Sequence, residues 1–444
     1  MLRRLFMSLV VLPLAVLGLA TTSQATGFRL GAHGAKAMGM NGAFAAQADD
    51  PSAIYYNAAG ITQLEGTQVQ GGFTFIYAPG SEFEPLPGQI SLARGTLNPT
   101  PASPSEASSK LFSLPTLFAT KKVGEQTAIG FGLYVPFGLR VDWPDDWDGR
   151  NITTFDEIRA TYLDFAVAHD LLPWWSVSAG LAYVKSDVRL SRTSYGVIPG
   201  TEAVFDFDAD GWGVTYDVGT QVRMGDRVKI GAQYRHQAVV EYNGDFSSLT
   251  LDGAPFLPRT NATAKLPLPS TLIVGIAVKP TDWWTVEFDW DYTHWSSFQD
   301  LALHINTAPD PANLGAIQAG LTAGAPFPNR KWKNTSTYRV GTQFQVSEPL
   351  AIRLGYAYIN TPIPDETLDP ILPDSDRSAF TAGFGYKITK SLTFDFAYEY
   401  QYFHERTKNN AFLLTSPPGV DGLKANGTYN TEAHAVVTQL KYAF

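Results

Sequence analysis

The sequence contains no cysteine and no cluster of basic residues, and beyond residue 20 it has no long apolar run. Without cysteine the chain can form neither disulfides nor a thiolate metal site. With 33 Lys and Arg against 42 Asp and Glu, the formal net charge is -9, which argues against nucleic acid as a partner. The lack of a further apolar segment of ~20 residues argues against a helical membrane protein.

The N-terminus has the composition of a secretory signal peptide. Arg3 and Arg4 precede an apolar run over residues 5–20, and Ser23-Gln24-Ala25 offers a small-residue cleavage site. We therefore predict a signal peptide over residues 1–25. A membrane anchor is the alternative, but the run is short for a spanning helix of ~20 residues. Removing the two arginines takes the net charge from -9 to -11, so the secreted chain is acidic.

Aromatic residues are abundant, with 20 Tyr and 27 Phe, and from residue 67 onward the sequence alternates with a period of two. The alternation is clearest over residues 285–293 and 392–402. In the first of these segments one face is apolar and the other acidic: Val286, Phe288, Trp290 and Tyr292 against Glu287, Asp289 and Asp291. A soluble β-sandwich would show this pattern as well. Tyr and Trp near strand ends are more typical of a membrane interface.

The number of strands and the lengths of their connections distinguish the two folds. Short and long connections alternate along the chain, as they do in outer-membrane barrels, and the number of strands is even. The short turns should face the periplasm. We therefore predict an all-β fold for residues 67–444, a 14-stranded antiparallel transmembrane β-barrel in a Gram-negative outer membrane. The predicted strands are 67–78, 111–121, 126–140, 158–170, 174–191, 209–223, 227–241, 261–279, 283–298, 334–346, 350–360, 376–388, 391–405 and 431–444.

The last residue is Phe444, at the end of an amphipathic segment in which Tyr442, Leu440 and Val436 alternate with other residues. A terminal aromatic on a final strand is typical of the assembly signal of outer-membrane barrels. We therefore expect Phe444 to be bound by the barrel assembly machinery. We also expect outer membrane lipid and lipopolysaccharide to surround the protein, which we predict to be a monomer.

Residues 26–66 differ from the rest because they are rich in Ala and Gly and lack the period-two alternation. A barrel of fourteen strands is too wide to be filled by its own wall side chains. Phe28, Phe44, Tyr55 and Tyr56 argue against a disordered tail, since disordered segments are poor in aromatics. We therefore predict a partly helical plug, or hatch, inside the lumen. A plugged pore passes a chosen ligand by a conformational step, which argues against a general porin.

The third predicted strand contains Pro136 among several glycines, Gly130, Gly132 and Gly138. Proline cannot donate a hydrogen bond to the ladder. In lipid, each unpaired backbone group costs several kcal/mol. Either Pro136 lies at the end of the strand or the wall bends there, and both readings fit the sequence.

Several segments resemble the FadL/TodX family of outer-membrane transporters of long-chain fatty acids and hydrocarbons. Thr26-Gly27-Phe28 resembles the start of the mature family members, and residues 49–60 resemble the plug motif that ends in Asn-Pro-Ala-Gly, with Ala58 in place of the proline. Residues 293–298 (Thr-His-Trp-Ser-Ser-Phe) resemble the end of a family strand. Residues 372–377 (Leu-Pro-Asp-Ser-Asp-Arg) resemble the start of another, and Tyr442-Ala443-Phe444 fits as well.

The resemblance implies passive transport of a hydrophobic small molecule by a protein that is not an enzyme and needs no cofactor. It places Phe28, Asn57, Ala58, Ala59 and Gly60 in the plug. It implies a sideways exit of the ligand at a kink in strand 3, with a lateral gate formed by Pro136, Phe137 and Gly138. The departure at Ala58 raises the question of how rigid the plug turn is.

Basic residues in the lumen could meet the carboxylate of a fatty acid. Lys333, Arg339 and Arg353 are the candidates, and the alternative is that each is paired with Glu287, Asp289 or Asp395 of the wall. We further expect polar contacts between the wall and the plug near Asn57. The residues proposed for these contacts are Asp374, Asp376 and Arg377.

Three other functions remain open from sequence. The same route could carry aromatic or alkane hydrocarbons, which need no basic partner. An open porin for polar solutes is less favoured because of the plug. An outer-membrane lipase would need a Ser-His pair on the wall, and the seven histidines are scattered without catalytic spacing.

Overall fold

The computed structural model describes residues 27–31, 33–96, 98–195, 202–251, 253, 255–299, 303–305, 329–412 and 421–444. In this part of the chain, fourteen antiparallel strands each pair with the next, and the last pairs with the first to close a barrel. The strands are β1 Thr67–Ala78, β2 Lys110–Lys122, β3 Thr127–Asp142, β4 Phe155–Leu172, β5 Trp175–Tyr195, β6 Glu202–Met224, β7 Val228–Arg235 with Ala238–Thr250, β8 Pro255–Leu268 with Thr271–Thr281, β9 Trp284–Thr293, β10 Thr335–Gln345, β11 Leu350–Ile359, β12 Arg377–Lys387, β13 Leu392–Phe403 and β14 Glu432–Ala443.

The predicted barrel and its strand number are confirmed, whereas several strand ends differ. Strands β5 and β6 extend further toward the long loops than predicted. Strand β9 ends at Thr293 instead of residue 298, because the chain then forms a short 3-10 helix, Trp295–Ser297. After this helix, a short strand, Leu303–Ile305, pairs with β8, the same strand that pairs with β9.

Large apolar side chains are exposed on the outer surface of the barrel, opposite to the arrangement in a soluble sandwich. On β9, Phe288 is exposed while Glu287, Asp289 and Asp291 are buried on the inner face. Tyrosine and tryptophan flank the apolar band at both ends of the strands, as at membrane interfaces. The exposed aromatics and aliphatics of this surface include Phe73, Phe165, Leu181, Trp174, Tyr183, Trp212, Val214, Val218, Ile276, Trp283, Tyr338, Leu354, Phe380, Tyr398 and Leu440.

Residues 27–66 lie inside the barrel and form the plug. Two short helices, α1 (Ala35–Met38) and α2 (Ala53–Tyr56), are followed by a 3-10 helix, Ala58–Gln63. Small side chains allow the turns of the plug to pack closely: a Cβ on Gly60 would lie 2.3 Å from the carbonyl oxygen of Ala48. The prediction of a partly helical plug is confirmed. The predicted signal peptide, residues 1–25, lies outside the described residues.

Among the residues that the structure describes, no helix is both long and apolar enough to cross a bilayer. At the end of the barrel with long connections, the loops pack on one another around a second apolar core. The stacked rings of Trp143 and Trp147, with centroids 4.3 Å apart, belong to this core together with Phe83 and Tyr429. Arg150 and Glu202 form a fully buried ion pair beside it, 2.7 Å apart. These loops form a cap over the lumen.

Candidate functional site

Strand β3 carries a bulge at Val135 and Pro136. Tyr134 lies opposite Tyr162 of β4 and Phe137 opposite Ala160, so two residues of β3 face one residue of β4. Pro136 therefore lies within the strand rather than at its end. In a regular strand, residues three positions apart point to opposite faces. The extra residue of the bulge brings Tyr134 and Phe137 to the same inner side of the wall.

Just before the bulge, β3 separates from β2. In the described residues the ladder between these strands runs from Lys122 opposite Ala128 and ends at Leu117 opposite Leu133. The strands meet again only near the long loops, where the amide of Ser108 donates to the carbonyl of Asp142, 2.7 Å away. We call the gap between these two points the window. Pro115 of β2 and Pro136 of β3 border it, and neither has a backbone N–H to donate.

The start of the plug covers the window from inside. Residues 28–30, which we call the closing segment, pair with β3 in place of β2, with Arg29 opposite Phe137. The amide of Leu30 donates to the carbonyl of Pro136 at 2.8 Å, and the amide of Gly138 donates to the carbonyl of Phe28 at 3.0 Å. The three predicted gate residues are thus brought against the plug.

Phe28 is held by an aromatic cluster. Its ring centroid lies 4.8 Å from that of Trp295, 5.7 Å from that of Phe298 and 5.9 Å from that of Phe137. Trp332 completes the cluster. Trp295 and Phe298 belong to the motif found at residues 293–298, which explains its two aromatics: after β9 ends, the chain turns these rings into the lumen to receive the closing segment.

The acidic inner face of β9 binds the plug mainly through backbone amides. Glu287 accepts a hydrogen bond from the amide of Ala46 at 2.6 Å, and Asp289 accepts one from the amide of Phe44 at 2.9 Å. Asp291 forms a buried ion pair with Arg29 at 2.6 Å. The sequence showed that these acids share one face, but it could not show that their partners are amides of the plug.

The plug motif is anchored to wall strands β6 and β7. The Nδ2 of Asn57 donates to the carbonyl of Ala45 at 2.8 Å and to that of Thr220 in β6 at 2.9 Å. Gln233 of β7 accepts from the amide of Ala58 at 2.6 Å. A proline at position 58 would have no such amide, so this sequence replaces the family residue with one that is hydrogen-bonded to the wall.

Of the three predicted basic residues, Arg339 and Arg353 are buried on the inner side of the barrel and Lys333 is not. The side chain of Lys333 is exposed, near the start of β10. Arg353 forms an ion pair with Asp395 at 2.7 Å, which was the alternative considered above. Arg339 donates to the carbonyl of Asn41 in the plug at 2.8 Å, and its ionic neighbour is Asp291, 3.6 Å away, instead of Glu287 or Asp289.

Asp374 and Asp376 bind a loop rather than the plug near Asn57. Both accept hydrogen bonds from Thr361, on the connection between β11 and β12, at 2.8 Å. The predicted contact of these two carboxylates near Asn57 is therefore corrected. Arg377 does reach the lumen, where it lines a small cavity together with Arg29 and Arg339.

The lumen between the plug and the cap is apolar. Inward side chains of β4–β8 line it, namely Ile158, Tyr162, Val184, Val188, Phe205, Phe207, Val240, Tyr242, Phe246, Leu266 and Leu268. A cavity in this region is walled by Leu190, Phe205 and Phe207, with Arg192, Asp156 and Asp206 as its charged residues. Arg192 was missed from sequence because predicted strand 5 ended at residue 191. Continuing the inward alternation of Val188 and Leu190 by one step would have placed it in the lumen.

A closed barrel with an apolar outer surface, an internal plug and an apolar lumen defines an outer-membrane transport barrel. The sequence comparison is specific: the chain belongs to the family described as outer membrane protein transport protein (OMPP1/FadL/TodX), whose sequence model matches residues 16–444. The family consists of transport channels, so the protein is a transporter of hydrophobic compounds and not an enzyme. It resides in the outer membrane.

Individual relatives are distant but match over most of their length. The long-chain fatty acid transport protein of Salmonella typhi is 21% identical over 423 residues, which cover 88% of this chain and 91% of the relative. A crystal structure of a Pseudomonas aeruginosa FadL homologue superposes with a TM-score of 0.80 at 20% identity. The match covers 94% of this chain and 100% of the homologue's chain. The Pseudomonas putida toluene transporter TodX has a TM-score of 0.67 at 14% identity. That match covers 95% of this chain and 99% of the TodX chain.

Proposed function

We propose that the protein takes up long-chain fatty acids or similar amphiphiles passively, and that the ligand leaves sideways through the window. The observation that carries this proposal is the pairing of the closing segment with β3 at a place where β2 is absent. A route straight through the barrel is filled by the buried plug. A route through the window requires only that three residues of the plug move.

The aromatic cluster gives the ligand a means of moving them. An apolar chain that reaches the cluster competes with Phe28 for the rings of Trp295 and Phe298. Burial of the ligand stabilises its complex by ~25 cal/mol per Å² of apolar surface. When the closing segment leaves, the carbonyl of Pro136 and the amide of Gly138 lose their partners, which is costly in an apolar surrounding. The window should therefore remain covered until a ligand is bound.

The cavity with Arg192 favours a carboxylated cargo. It combines an apolar wall with a guanidinium, which suits the chain and the head group of a fatty acid, and the fatty acid carboxylate would share Arg192 with Asp156 and Asp206 of the same cavity. The Salmonella relative is named for this cargo. The second candidate is a hydrocarbon, since TodX is described as a toluene transporter. For such a cargo the charge of Arg192 should not matter.

A single deletion in β3 should close the window and so test the sideways exit. Deletion of Pro136 removes the one extra residue of the bulge, so that Tyr134 and Phe137 become second neighbours and β3 can continue its ladder with β2. The matched control is Pro136→Val, which keeps the extra residue and hence the bulge. Uptake of labelled oleate is measured in cells that lack their own fatty acid transporter, at equal amounts of folded protein in the outer membrane.

We expect the deletion to reduce oleate uptake to background and the control to retain most of it. Equal uptake by the two variants would contradict the sideways exit. If neither variant nor the parent transports oleate while toluene uptake depends on the bulge, the hydrocarbon alternative holds. Large steady ion conductance of the parent in planar bilayers would instead favour an open porin.

The proposed partners outside the lumen rest on the end of the chain and on the outer surface. Phe444 is exposed beside Tyr442, and its amide donates to the carbonyl of Thr67 at 2.9 Å, next to the seam where β14 meets β1. An exposed aromatic at this seam is available to the barrel assembly machinery. Removal of Phe444 should lower the amount of assembled protein without changing transport per molecule.

A further inference from the structure

A buried polar chain connects the bulge of β3 to the plug. Tyr134, the residue just before the bulge, donates its hydroxyl to the Oδ2 of Asp164 in β4, 2.5 Å away. The same Oδ2 accepts from Arg235 of β7 at 3.0 Å. All three side chains are buried, Tyr134 and Asp164 completely. One carboxylate thus binds a residue of the bulged strand β3 and a residue of β7.

The remaining contacts of Arg235 are with the plug and with two residues of the wall, the ring of Tyr134 at 5.5 Å and Asp217. Its Nη2 donates to the carbonyl of Ile54 at 3.4 Å, and its guanidinium lies 5.4 Å from the ring centroid of Tyr55. The hydroxyl of Tyr55 in turn accepts from Arg29 of the closing segment, at 3.2 Å. Arg235 therefore connects to both partners of the covered window: to β3 through Asp164, and to the closing segment through Tyr55.

Packing alone does not account for this arrangement. Removing charges from water is expensive, and an apolar group of similar volume often fills such a place at lower cost. The neighbouring Tyr162 is an example of a residue that packs here by stacking, with its ring centroid 5.7 Å from that of Tyr134. Asp217 lies 3.7 Å from Arg235 as a second carboxylate, so the guanidinium has an ionic neighbour besides Asp164.

We propose that Tyr134, Asp164 and Arg235 form a latch that couples the position of the plug to the closing of the window. With the plug seated, Arg235 is fixed by Ile54 and Tyr55, and Asp164 then holds Tyr134 so that Pro136 and Gly138 meet the closing segment. When the helix α2 shifts, Arg235 loses its contacts with the plug and Asp164 no longer fixes Tyr134. These are positioning residues, and their role rests on the proposed exit through the window.

The test uses the two hydrogen bonds that cover the window. Amide hydrogen exchange is followed in purified protein without ligand, in peptides containing Leu30 and Gly138. The variant Tyr134→Phe removes one hydroxyl, and the matched control Tyr162→Phe removes the same group from the stacked neighbour. We expect Tyr134→Phe to accelerate exchange of both peptides about two- to tenfold, as for the loss of one hydrogen bond, with β11 unchanged. The control should leave both peptides as in the parent.

Equal exchange in the two variants, or acceleration spread evenly over the barrel, would overturn the latch. If Tyr134→Phe does not assemble, Arg235→Lys keeps the charge but loses the geometry of the guanidinium, and the same selective acceleration is expected. Because the measurement needs no ligand, its outcome is separate from the transport proposal. Selective acceleration together with unchanged oleate uptake in the Pro136 deletion would retain the latch and reject the exit.

Discussion

The backbone amide of Ala58 donates to the side-chain oxygen of Gln233, 2.6 Å away, and so connects the plug motif to β7. The Nε2 of the same glutamine donates to the carbonyl of Tyr55 at 3.1 Å. One wall side chain therefore binds the plug on both sides of Asn57. The departure from the family proline at position 58 adds a hydrogen bond to the wall, which answers the question raised by the sequence.

The variant Ala58→Pro should loosen the plug while leaving the turn intact. Asn57 has φ -168° and ψ 96°, which lies outside the helical region that a following proline disfavours. The substitution removes the amide that Gln233 accepts, at a cost of ~1–3 kcal/mol for the buried oxygen left without a donor. Hydrogen exchange of residues 53–60 should accelerate. Ala58→Gly keeps the amide and should preserve slow exchange; similar exchange in the two variants would mean that this bond does not hold the plug.

The variant Phe28→Ala should uncover the window without a ligand. Loss of a buried phenylalanine from a cluster such as that of Trp295 and Phe298 costs ~3–5 kcal/mol where the surroundings cannot collapse. The closing segment should then detach and leave the lumen open to small molecules. We expect a higher rate of toluene or antibiotic permeation through the outer membrane. Phe165→Ala, on the lipid-facing surface, is the control and should leave permeation unchanged.

The variant Arg192→Met distinguishes the two classes of cargo. Methionine keeps the apolar volume of the side chain but removes the charge from the cavity beside Phe205 and Phe207. Oleate affinity should fall about tenfold, as for the loss of a charge-assisted hydrogen bond. Toluene binding should remain unchanged. Binding is measured by titration calorimetry in detergent, and an equal loss for both ligands would point to a general disturbance of the cavity.

The order of the cap should depend on pH through Lys408. Burial lowers the pKa of this lysine to about 7, partly opposed by Asp369, and its Nζ donates to the carbonyl of Lys424 at 2.6 Å. The folded loop therefore binds fewer protons than the unfolded loop between pH 7 and the ordinary lysine pKa of 10.5. Its stability should rise with pH across this range and be lowest below pH 7.

Limited proteolysis of the connection between β13 and β14 measures this effect. Cleavage should be slower at pH 9 than at pH 6, after correction for the activity of the protease on an unfolded substrate. In Lys408→Met the difference should vanish, because no proton is then taken up. Lys331→Met, which alters an exposed lysine paired with Glu366, should retain the pH dependence. If cleavage of the unmodified protein did not depend on pH, the lowered pKa of Lys408 would be contradicted.

The sequence predicted those features that repeat along a strand. Period-two alternation located the fourteen strands and the common face of Glu287, Asp289 and Asp291, because side-chain direction follows directly from position. It did not predict the ends of β5 and β6, since the polar residues Arg192, Thr193 and Ser194 of β5 and Asp206 and Asp208 of β6 look like loop residues. It also could not predict the partners inside the lumen. The amides of the plug that bind β9 carry no side-chain signal, and their position depends on the whole fold.

Pro115 and Pro136 have a consequence for how the barrel behaves among its neighbours. A strand edge left open within a sheet is ordinarily a template for pairing with another chain. Here each edge of the window contains a residue without a donor, and the inner part of β3 is already occupied by residues 28–30. Two copies that collide in a crowded bilayer therefore find no continuous row of donors and acceptors on which to extend a common sheet. The opening in the wall is protected against self-association by the same residues that create it.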